Sequence, residues 1–310
     1  MKHDNTTRNY SRLGLGTVQF GQAYGINNST GQVSFDQVCS ILSLAHEHGI
    51  TFLDTSRNYG SSESVIRQAI KEVKKEFLIC TKLDLPRDYK ELDDASLIKA
   101  VDASLTESLE TLDLETIPLY LLHTHDYYAW KDHLVWNRLL QWQQKGVIKT
   151  LGISIGNGPH EALSALDDKT VSAMQIPFNA LDQRWKRSGF LAKKDSVTVI
   201  TRSAYLQGLL LMDLDKAMDR LPGAVPWLRT FHDLASAWNM SLKELAFSYV
   251  LGTPEIDVTI IGVDTLEQLK ENIALLSRSS LSETQRITIE EQLAHVPVDI
   301  VNPSLWSQHR

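Results

Sequence analysis

Cysteine is nearly absent from this chain of 310 residues: only Cys39 and Cys80 occur. Cys39 falls in a helix-like pattern and Cys80 in a strand-like run, so no disulfide framework is expected. No apolar run reaches the roughly 18 residues that a membrane-crossing helix needs, and none is predicted. Cationic charge is short as well. Thirty-one Lys and Arg stand against 38 Asp and Glu, a formal net charge of -7, with no basic cluster. Nucleic acid and anionic membrane are therefore not expected partners. Residues 1–10 are polar and lack the apolar segment of a leader, which predicts a loose tail and a cytoplasmic location. Also missing is the G-x-G-x-x-G turn of a dinucleotide-binding doubly wound sheet: Gly14-Leu-Gly16 is not followed by a third glycine at the required place.

What remains is 43% hydrophobic and 22% charged, as in an ordinary globular enzyme. The length suits one large barrel or two smaller domains. Apolar runs alternate with amphipathic segments along the chain. The runs cover Leu13–Phe20, Ile50–Asp54, Phe77–Leu83, Leu119–Leu122, Ile148–Ser154, Val171–Phe178, Val197–Ser203 and Val258–Val263. Helices are expected between them. Ser34 with Gln37, Ser241 with Glu244 and Thr265 with Gln268 mark helix starts. Gly49 and Gly146 mark helix ends, Ser62–Val73 and Pro159–Leu166 read as helices, and Ser277–Ser282 reads as a surface turn. Buried runs alternating with amphipathic helices imply a parallel sheet, and eight such units suit a (β/α)8 TIM barrel. The expected organisation is one barrel domain over residues 1–310, with residues 281–310 forming a last helix and a tail over the barrel. Two long loops, Thr124–Lys131 and Ala204–Pro226, fall on the face where a barrel carries its active site.

Polar residues interrupt the apolar runs at their ends: Asp54, Lys82, His123, Ser154, Gln175, Arg202 and the small Gly262. A lone ammonium at the end of a buried strand is costly, so Lys82 calls for a partner, and Asp54 on the neighbouring strand supplies one. Strand parity sends Leu78 and Cys80 inward with Lys82, and Leu119 and Leu121 below His123, making Cys80 core filler. Alone, Asp54 and Lys82 would pass for a structural ion pair, Tyr59 for a loop tyrosine and His123 for a structural histidine. Together they make a proton-transfer site. A free tyrosine, with a pKa of about 10, is a sluggish acid or base near neutrality. A lysine cation beside it is expected to lower that value, with His123 orienting a carbonyl oxygen.

With these residues in place, the sequence resembles the aldo-keto reductase superfamily from Leu13 to about Leu276. The resemblance is carried by Gly16-Thr-Val-Gln-Phe-Gly21, Leu53-Asp-Thr-Ser-Arg-Asn-Tyr-Gly60, Thr81-Lys82, Tyr120-Leu-Leu-His123 and Leu151-Gly-Ile-Ser154. It continues through Gln175-Ile-Pro-Phe-Asn179, Arg202-Ser-Ala-Tyr-Leu-Gln-Gly208 and Gly262-Val-Asp-Thr-Leu-Glu-Gln-Leu-Lys-Glu-Asn272. It implies a (β/α)8 barrel that uses NAD(H) or NADP(H) to interconvert a small carbonyl compound and an alcohol. The family's catalytic tetrad falls on Asp54, Tyr59, Lys82 and His123, with Tyr59 as general acid. Cofactor contacts are implied at Gly16, Thr17, Asp54, Ser154, Gln175, Arg202, Ser203, Tyr205, Gln207, Gly208, Gly262, Asp264, Gln268 and Asn272. Ser154 and Gln175 would hold the nicotinamide carboxamide. The chain departs from many relatives in placing Arg202 where an aromatic ring lies under the nicotinamide, and Ile155 where an asparagine follows the serine.

Where many NADPH-preferring relatives carry cationic and hydroxyl groups for the 2′-phosphate, this chain has Gly262, Val263 and Gln268, with Asp264 beside them. Only Lys270 stands near as a cation, so use of NADH at least comparable to NADPH is expected. Gln19, Tyr24, His125, Asp126, Trp130 and Trp306 are expected around the substrate, a lining that suits a sugar-like carbonyl. Competing readings are a nicotinamide-sensing regulatory protein, a metal-dependent hydrolase built on His123, His125 and Asp126, and a Schiff-base aldolase using Lys82. A monomer or small homo-oligomer is expected.

Overall fold

The computed structural model describes residues 10–24, 31–277 and 281–309. Eight parallel strands close into a barrel in chain order. They are β1 (Leu13–Gly16), β2 (Phe52–Asp54), β3 (Leu78–Leu83), β4 (Ile117–Leu122), β5 (Ile148–Ser154), β6 (Ala173–Pro177), β7 (Thr198–Arg202) and β8 (Val258–Gly262). Closure is made by β1 against β8, with Leu13 opposite Thr259 and Gly16 opposite Gly262. Helices lie between successive strands, among them Phe35–Glu47, Ser62–Val73, Asp94–Leu112, Leu134–Gln144 and Leu242–Leu251, and Leu266–Leu276 follows β8.

Strand periodicity separates two cores. Inside the barrel, Phe52, Cys80, Leu119, Leu121, Ala173, Ile200, Val258 and Ile260 pack on one another, with Leu78 and Tyr10 against them. Their strand neighbours, such as Leu53, Ile79, Tyr120, Ile153, Met174, Val199 and Ile261, face outward into the larger core beneath the helices. This follows from side chains alternating faces along each strand. Cys80 is buried apolar filler, as its parity predicts.

Several local expectations need correction. The first strand stops at Gly16, and Val18–Gly21 winds into one helical turn instead of extending to Phe20. Its neighbours end at Asp54 and Gly262, so the backbone beyond finds no ladder partner and bonds locally, Gln22 N–H to Val18 O at 3.0 Å. β4 begins two residues before Leu119, at Ile117, with Pro118 near its start, where a missing N–H is tolerated. Ser34 occupies the N-cap of Phe35–Glu47, but its side chain makes no capping bond. Its hydroxyl lies 3.4 Å from Gln37 Oε1 instead. The caps at Ser241 and Thr265 do form, accepting from Glu244 N at 3.1 Å and Gln268 N at 3.2 Å.

The two long loops carry short helices, His125–Ala129 after β4 and Leu206–Leu211 with Leu214–Arg220 after β7. Of the expected turn at Ser277–Ser282, residues 278–280 lie outside the described residues, as do residues 1–9 of the expected tail. Tyr10 packs edge-on against Phe52 with ring centroids 5.7 Å apart. The C-terminal segment comprises the helices Glu283–Gln292, Val298–Val301 and Pro303–His309. Among the described residues, no helix is long and apolar enough to cross a membrane.

Candidate active site

Two residues beyond the last apolar interior residue of five strands, the same parity turns polar. Phe52 gives way to Asp54, Cys80 to Lys82, Leu121 to His123, Ala173 to Gln175 and Ile200 to Arg202. These residues gather at the C-terminal ends of their strands. Above them opens a cavity of about 950 Å³ lined by Asp54, Tyr59, His123, Gln175 and Arg202 among others.

Lys82 is fully buried behind this lining. Its Nζ donates to Asp54 Oδ1 at 2.7 Å and to Thr55 O at 2.8 Å. Burial alone would lower the lysine pKa. The adjacent Asp54 carboxylate outweighs it, with Tyr59 adding to the effect, so the ammonium is held above its ordinary value and stays charged. The same Asp54 oxygen accepts from Gln175 Nε2 at 2.7 Å. Lys82 Nζ lies 5.1 Å from the Tyr59 ring centroid. The Tyr59 and His123 rings meet nearly at right angles, with centroids 6.0 Å apart. Ser56 Oγ lies 3.1 Å from His123 Nδ1.

The loop bearing Tyr59 is seated by glycine. Gly60 has φ +59, and a Cβ there would stand 2.4 Å from Gly21 O, while a Cβ on Gly21 would stand 1.8 Å from Tyr59 O. The single helical turn after β1 and the Tyr59 loop therefore touch backbone to backbone. A hydroxyl cluster backs this contact. Thr17 Oγ1 donates to Asp54 O at 2.9 Å, and Ser62 Oγ lies 2.8 Å from Thr17 Oγ1 and 3.0 Å from Thr55 Oγ1.

Electrostatics correct one expectation and sharpen another. Burial raises the Tyr59 pKa, and the pull of Lys82, helped by Arg202, offsets this only in part. The phenol is therefore a weaker acid than free tyrosine, not a stronger one. His123 is pushed down from 6.5 to about 3, first by burial and then by the Lys82 and Arg202 cations, and is neutral near neutrality.

The fourteen residues expected to contact the cofactor line this one cavity, though Val263 and Lys270, expected near its adenosine end, do not. Gly16, Thr17, Ser154 and Gln175 lie toward its floor, in or beside β1, β5 and β6. Ser203, Tyr205, Gln207 and Gly208 follow β7, and Gly262, Asp264, Gln268 and Asn272 come from β8 and the helix after it. Gln175 is fully buried, yet its Oε1 has no hydrogen-bond partner. Its Nε2 must face the Asp54 carboxylate, so a buried acceptor is left for an amide N–H, which suits a nicotinamide carboxamide. Tyr205 OH donates to Asn272 Oδ1 at 2.9 Å, and Gln268 Oε1 accepts from Asp264 N at 2.7 Å, ordering the far end of the cavity.

The substrate expectations divide. Gln19 and Tyr24 line the cavity. His125, Asp126, Trp130 and Trp306 do not, because the loop after β4 and the C-terminal turn engage them elsewhere. His125 Nε2 lies 3.3 Å from Ser164 Oγ and its Nδ1 4.0 Å from Glu161, and Asp126 pairs with Lys90 at 3.3 Å. Trp130 packs edge-on to Tyr89 and under Lys90, and Trp306 donates to Ile300 O at 3.0 Å. Among the described residues, no three His, Cys, Asp or Glu side chains gather as a metal site.

Sequence reasoning missed Ser56, Asn58, Asn157, Arg184 and Lys243, as well as Val301 to Ser304 of the C-terminal segment. Asn58, Asn157 and Asn302 come to the cavity from loops and Arg184, Lys243 and Val301 from helices, where no strand parity places them, and Ser56 reaches the site through His123. Ser56 alone had a usable signal, standing two residues beyond Asp54. Lys270, the cation expected at the adenosine end, is not in the lining and lies 3.9 Å from Glu267. Lys243 is there instead, paired with Glu271 at 2.6 Å.

Comparison with known proteins agrees with this architecture. The model of the Aldo/keto reductase family matches residues 12–294, and the chain belongs to that family. It is 26% identical to the uncharacterized oxidoreductase YqkF of Bacillus subtilis, over 94% of each chain. It is 27% identical to L-galactose dehydrogenase of Arabidopsis thaliana, over 95% of this chain and 93% of the relative. A third relative, the NADH-specific methylglyoxal reductase of Escherichia coli, is 23% identical over 86% of this chain and 90% of its own. Among solved structures, the aldo-keto reductase AKR11C1 from Bacillus halodurans in its holo form superposes with a TM-score of 0.74, at 22% identity over 93% of this chain and 94% of that one. The chain is thus an oxidoreductase of a family that reduces carbonyl groups with nicotinamide cofactors in general.

Proposed function

We propose that this protein reduces the carbonyl group of a small, polar, hydroxyl-bearing molecule to an alcohol, with Tyr59 as the proton donor. The observation that carries the reading is the placement of Tyr59 in the cavity wall, beside the buried Lys82–Asp54 pair and edge-on to His123. A bound nicotinamide cofactor supplies the hydride. The residues of the chain do the rest. Tyr59 is protonated at neutral pH, because burial outweighs the nearby cations, and it gives its phenolic proton to the carbonyl oxygen. Lys82 then steadies the phenolate that remains, and Asp54 keeps the ammonium in place. In the tautomer in which His123 Nδ1 accepts from Ser56, Nε2–H directs the carbonyl oxygen toward Tyr59. Gln175 and Ser154 would hold the cofactor's carboxamide, and the planar Arg202 guanidinium would support its nicotinamide ring.

The lining beyond Tyr59 supports a hydroxyl-rich substrate. Gln19, Gln22, Asn58 and Asn302 bring amides to the cavity, and Tyr24 an aromatic face. The name of one relative, L-galactose dehydrogenase, points toward the same chemistry. At the adenosine end, Glu271 neutralises Lys243, and Asp264 and Gln268 stand where a 2′-phosphate would seek cations. This favours NADH over NADPH or makes the two comparable, in keeping with a relative described as NADH-specific.

A Schiff-base role for Lys82 is disfavoured, since Asp54 keeps the amine protonated and a Schiff base needs it neutral. The test of the main reading is Tyr59→Phe. Turnover across a panel of aldehydes, ketones and aldoses should fall about 100- to 10,000-fold while cofactor still binds. A variant that keeps most of its turnover would remove Tyr59 from the mechanism.

A further inference from the structure

A buried carboxylate lies just outside the cavity, on none of the strand ends that carry the tetrad. Glu63 opens the helix Ser62–Val73 and is 3% exposed. Its two oxygens are divided among three other elements. Oε1 accepts from Thr81 Oγ1 on β3 at 2.6 Å and from Ser108 Oγ on the helix Asp94–Leu112 at 3.0 Å. Oε2 accepts from Arg57 Nη1 at 3.1 Å, and Arg57 also pairs with Glu107.

The sequence positions of these partners matter. Arg57 is two residues before Tyr59 in the same loop, and Thr81 is next to Lys82. The Tyr59 ring centroid lies 5.1 Å from Lys82 Nζ and 6.0 Å from that of the His123 ring. These spacings depend on where the backbone of its loop is held. That loop is pressed on one side by Gly21 and the Thr17–Ser62 hydroxyls, and held on the other by Arg57.

We propose that Glu63 is a positioning residue for the reaction, fixing through Arg57 the distance between Tyr59 and Lys82. The inference rests on the reading of Tyr59 as proton donor. Glu63 touches neither cavity nor tetrad. Because it joins the loop of Tyr59 to the strand of Lys82, a change in its bonds changes the geometry of proton transfer. Two buried bonds, from Thr81 and Ser108, and a third from the partly exposed Arg57 make a rigid joint, since losing the buried ones would leave polar groups unsatisfied.

The charge of the carboxylate makes the proposal separable from simple stability. In Glu63→Gln the amide oxygen faces Arg57, which can only donate, and the N–H₂ group donates to the Thr81 and Ser108 hydroxyls, so the packing is kept and the charge that grips Arg57 is lost. Cofactor binding is followed by fluorescence titration, and turnover is counted per cofactor-binding site. Sub-ångström to ångström displacements of reacting groups cost up to about 100-fold, so Glu63→Gln should lose about tenfold in kcat, with cofactor affinity changed less than about twofold. The solvent deuterium isotope effect on kcat should rise as the misplaced proton transfer becomes more rate-limiting. Arg57→Met removes the link outright and should lose at least as much, and the double variant should be no worse than Arg57→Met alone, because both act on one link. Arg57 is partly exposed, so its variant carries the test even where Glu63→Gln folds poorly.

In a Tyr59→Phe background, Glu63→Gln should cause no further loss. If Tyr59→Phe alone keeps its turnover, the proton-donor reading fails. If Tyr59→Phe loses turnover but Glu63→Gln retains it per site, or if the Arg57 and Glu63 effects simply add, the positioning role is overturned while Tyr59 stands.

Discussion

The inside of the barrel has two layers that share strands, parity and burial but not chemistry. The lower layer, with Phe52, Cys80, Leu119, Leu121, Ala173, Ile200, Val258 and Ile260, is packed hydrocarbon with one thiol. The layer above it, two residues on, holds Asp54, Lys82, Gln175 and Arg202, all but the last nearly or fully buried. A single residue's rise along the strand pair, taken twice, exchanges a core for a site. The lower layer stabilises by area removed from water and needs no specific partners. The upper layer stands only because its charges are matched: Lys82 with Asp54, and Asp54 again with Gln175. The difference teaches that an active site can be built on core positions when the cost of burying charge is met by pairing inside the site.

The sharpest way to break this comparison is to unpair the upper layer. Lys82→Met leaves the Asp54 carboxylate buried without its cation and should cost about 3–5 kcal/mol of stability, with loss of turnover. Adding Asp54→Asn should restore much of the stability and none of the activity. Denaturant unfolding of the three proteins checks this, and equal stability of Lys82→Met and wild type would refute the pairing argument.

A cut in the lower layer should act differently. Leu121→Ala removes buried hydrocarbon beneath His123 and should cost about 2–5 kcal/mol, the usual range for a cavity of this kind. Unlike Lys82→Met, it should still bind cofactor and retain measurable turnover at a temperature where it is folded. Complete loss of turnover in a folded Leu121→Ala protein would show that the two layers are not separable.

His123 sharpens the contrast through pH. Its pKa falls from 6.5 in the unfolded chain to about 3 in the fold, so between these values the unfolded chain takes up a proton that the folded one refuses. The stability it contributes is complete above 6.5 and lost as pH falls toward 3. His123→Asn should flatten the stability profile within that window. The wild-type profile of kcat/KM should show no limb near 6.5 from this group. An activity limb there that disappears in His123→Asn would show the imidazole to be less buried than its surroundings make it.

The smallest effect concerns the cavity's far end. With Lys243 committed to Glu271, NADPH should bind no more than about tenfold tighter than NADH, a difference of about 1.4 kcal/mol. Titration of both cofactors decides it. Glu271→Gln, which frees Lys243, should shift the ratio toward NADPH. A wild-type preference for NADPH beyond tenfold would show that the backbone of this loop, and not its side-chain charge, makes the choice.

Much of this molecule is legible in one dimension. Apolar runs ending in Asp54, Lys82, His123, Ser154, Gln175 and Arg202 placed the strands within a few residues, because a barrel strand buried on both faces has no other composition open to it. Parity then assigned Leu78, Cys80, Leu119 and Leu121 to the interior, since side-chain direction along a strand is a local property. The end of β1 was misplaced because Val18 and Phe20 are as apolar as any strand residue. Only the end of its neighbours at Asp54 and Gly262 stops the ladder there.

Loop residues and charge states needed the closed barrel. His125 and Trp130 carry the composition of a substrate wall, yet their loop turns them to Glu161, Ser164, Tyr89 and Lys90. Lys243 and Arg57 find Glu271 and Glu63 across gaps in sequence or between unlike elements that no spacing rule predicts. The direction of the Tyr59 pKa was misjudged for a related reason. A neighbouring lysine is visible in the chain, but the amount of water removed from the phenol is a sum over every element packed around it, and that sum exists only in three dimensions.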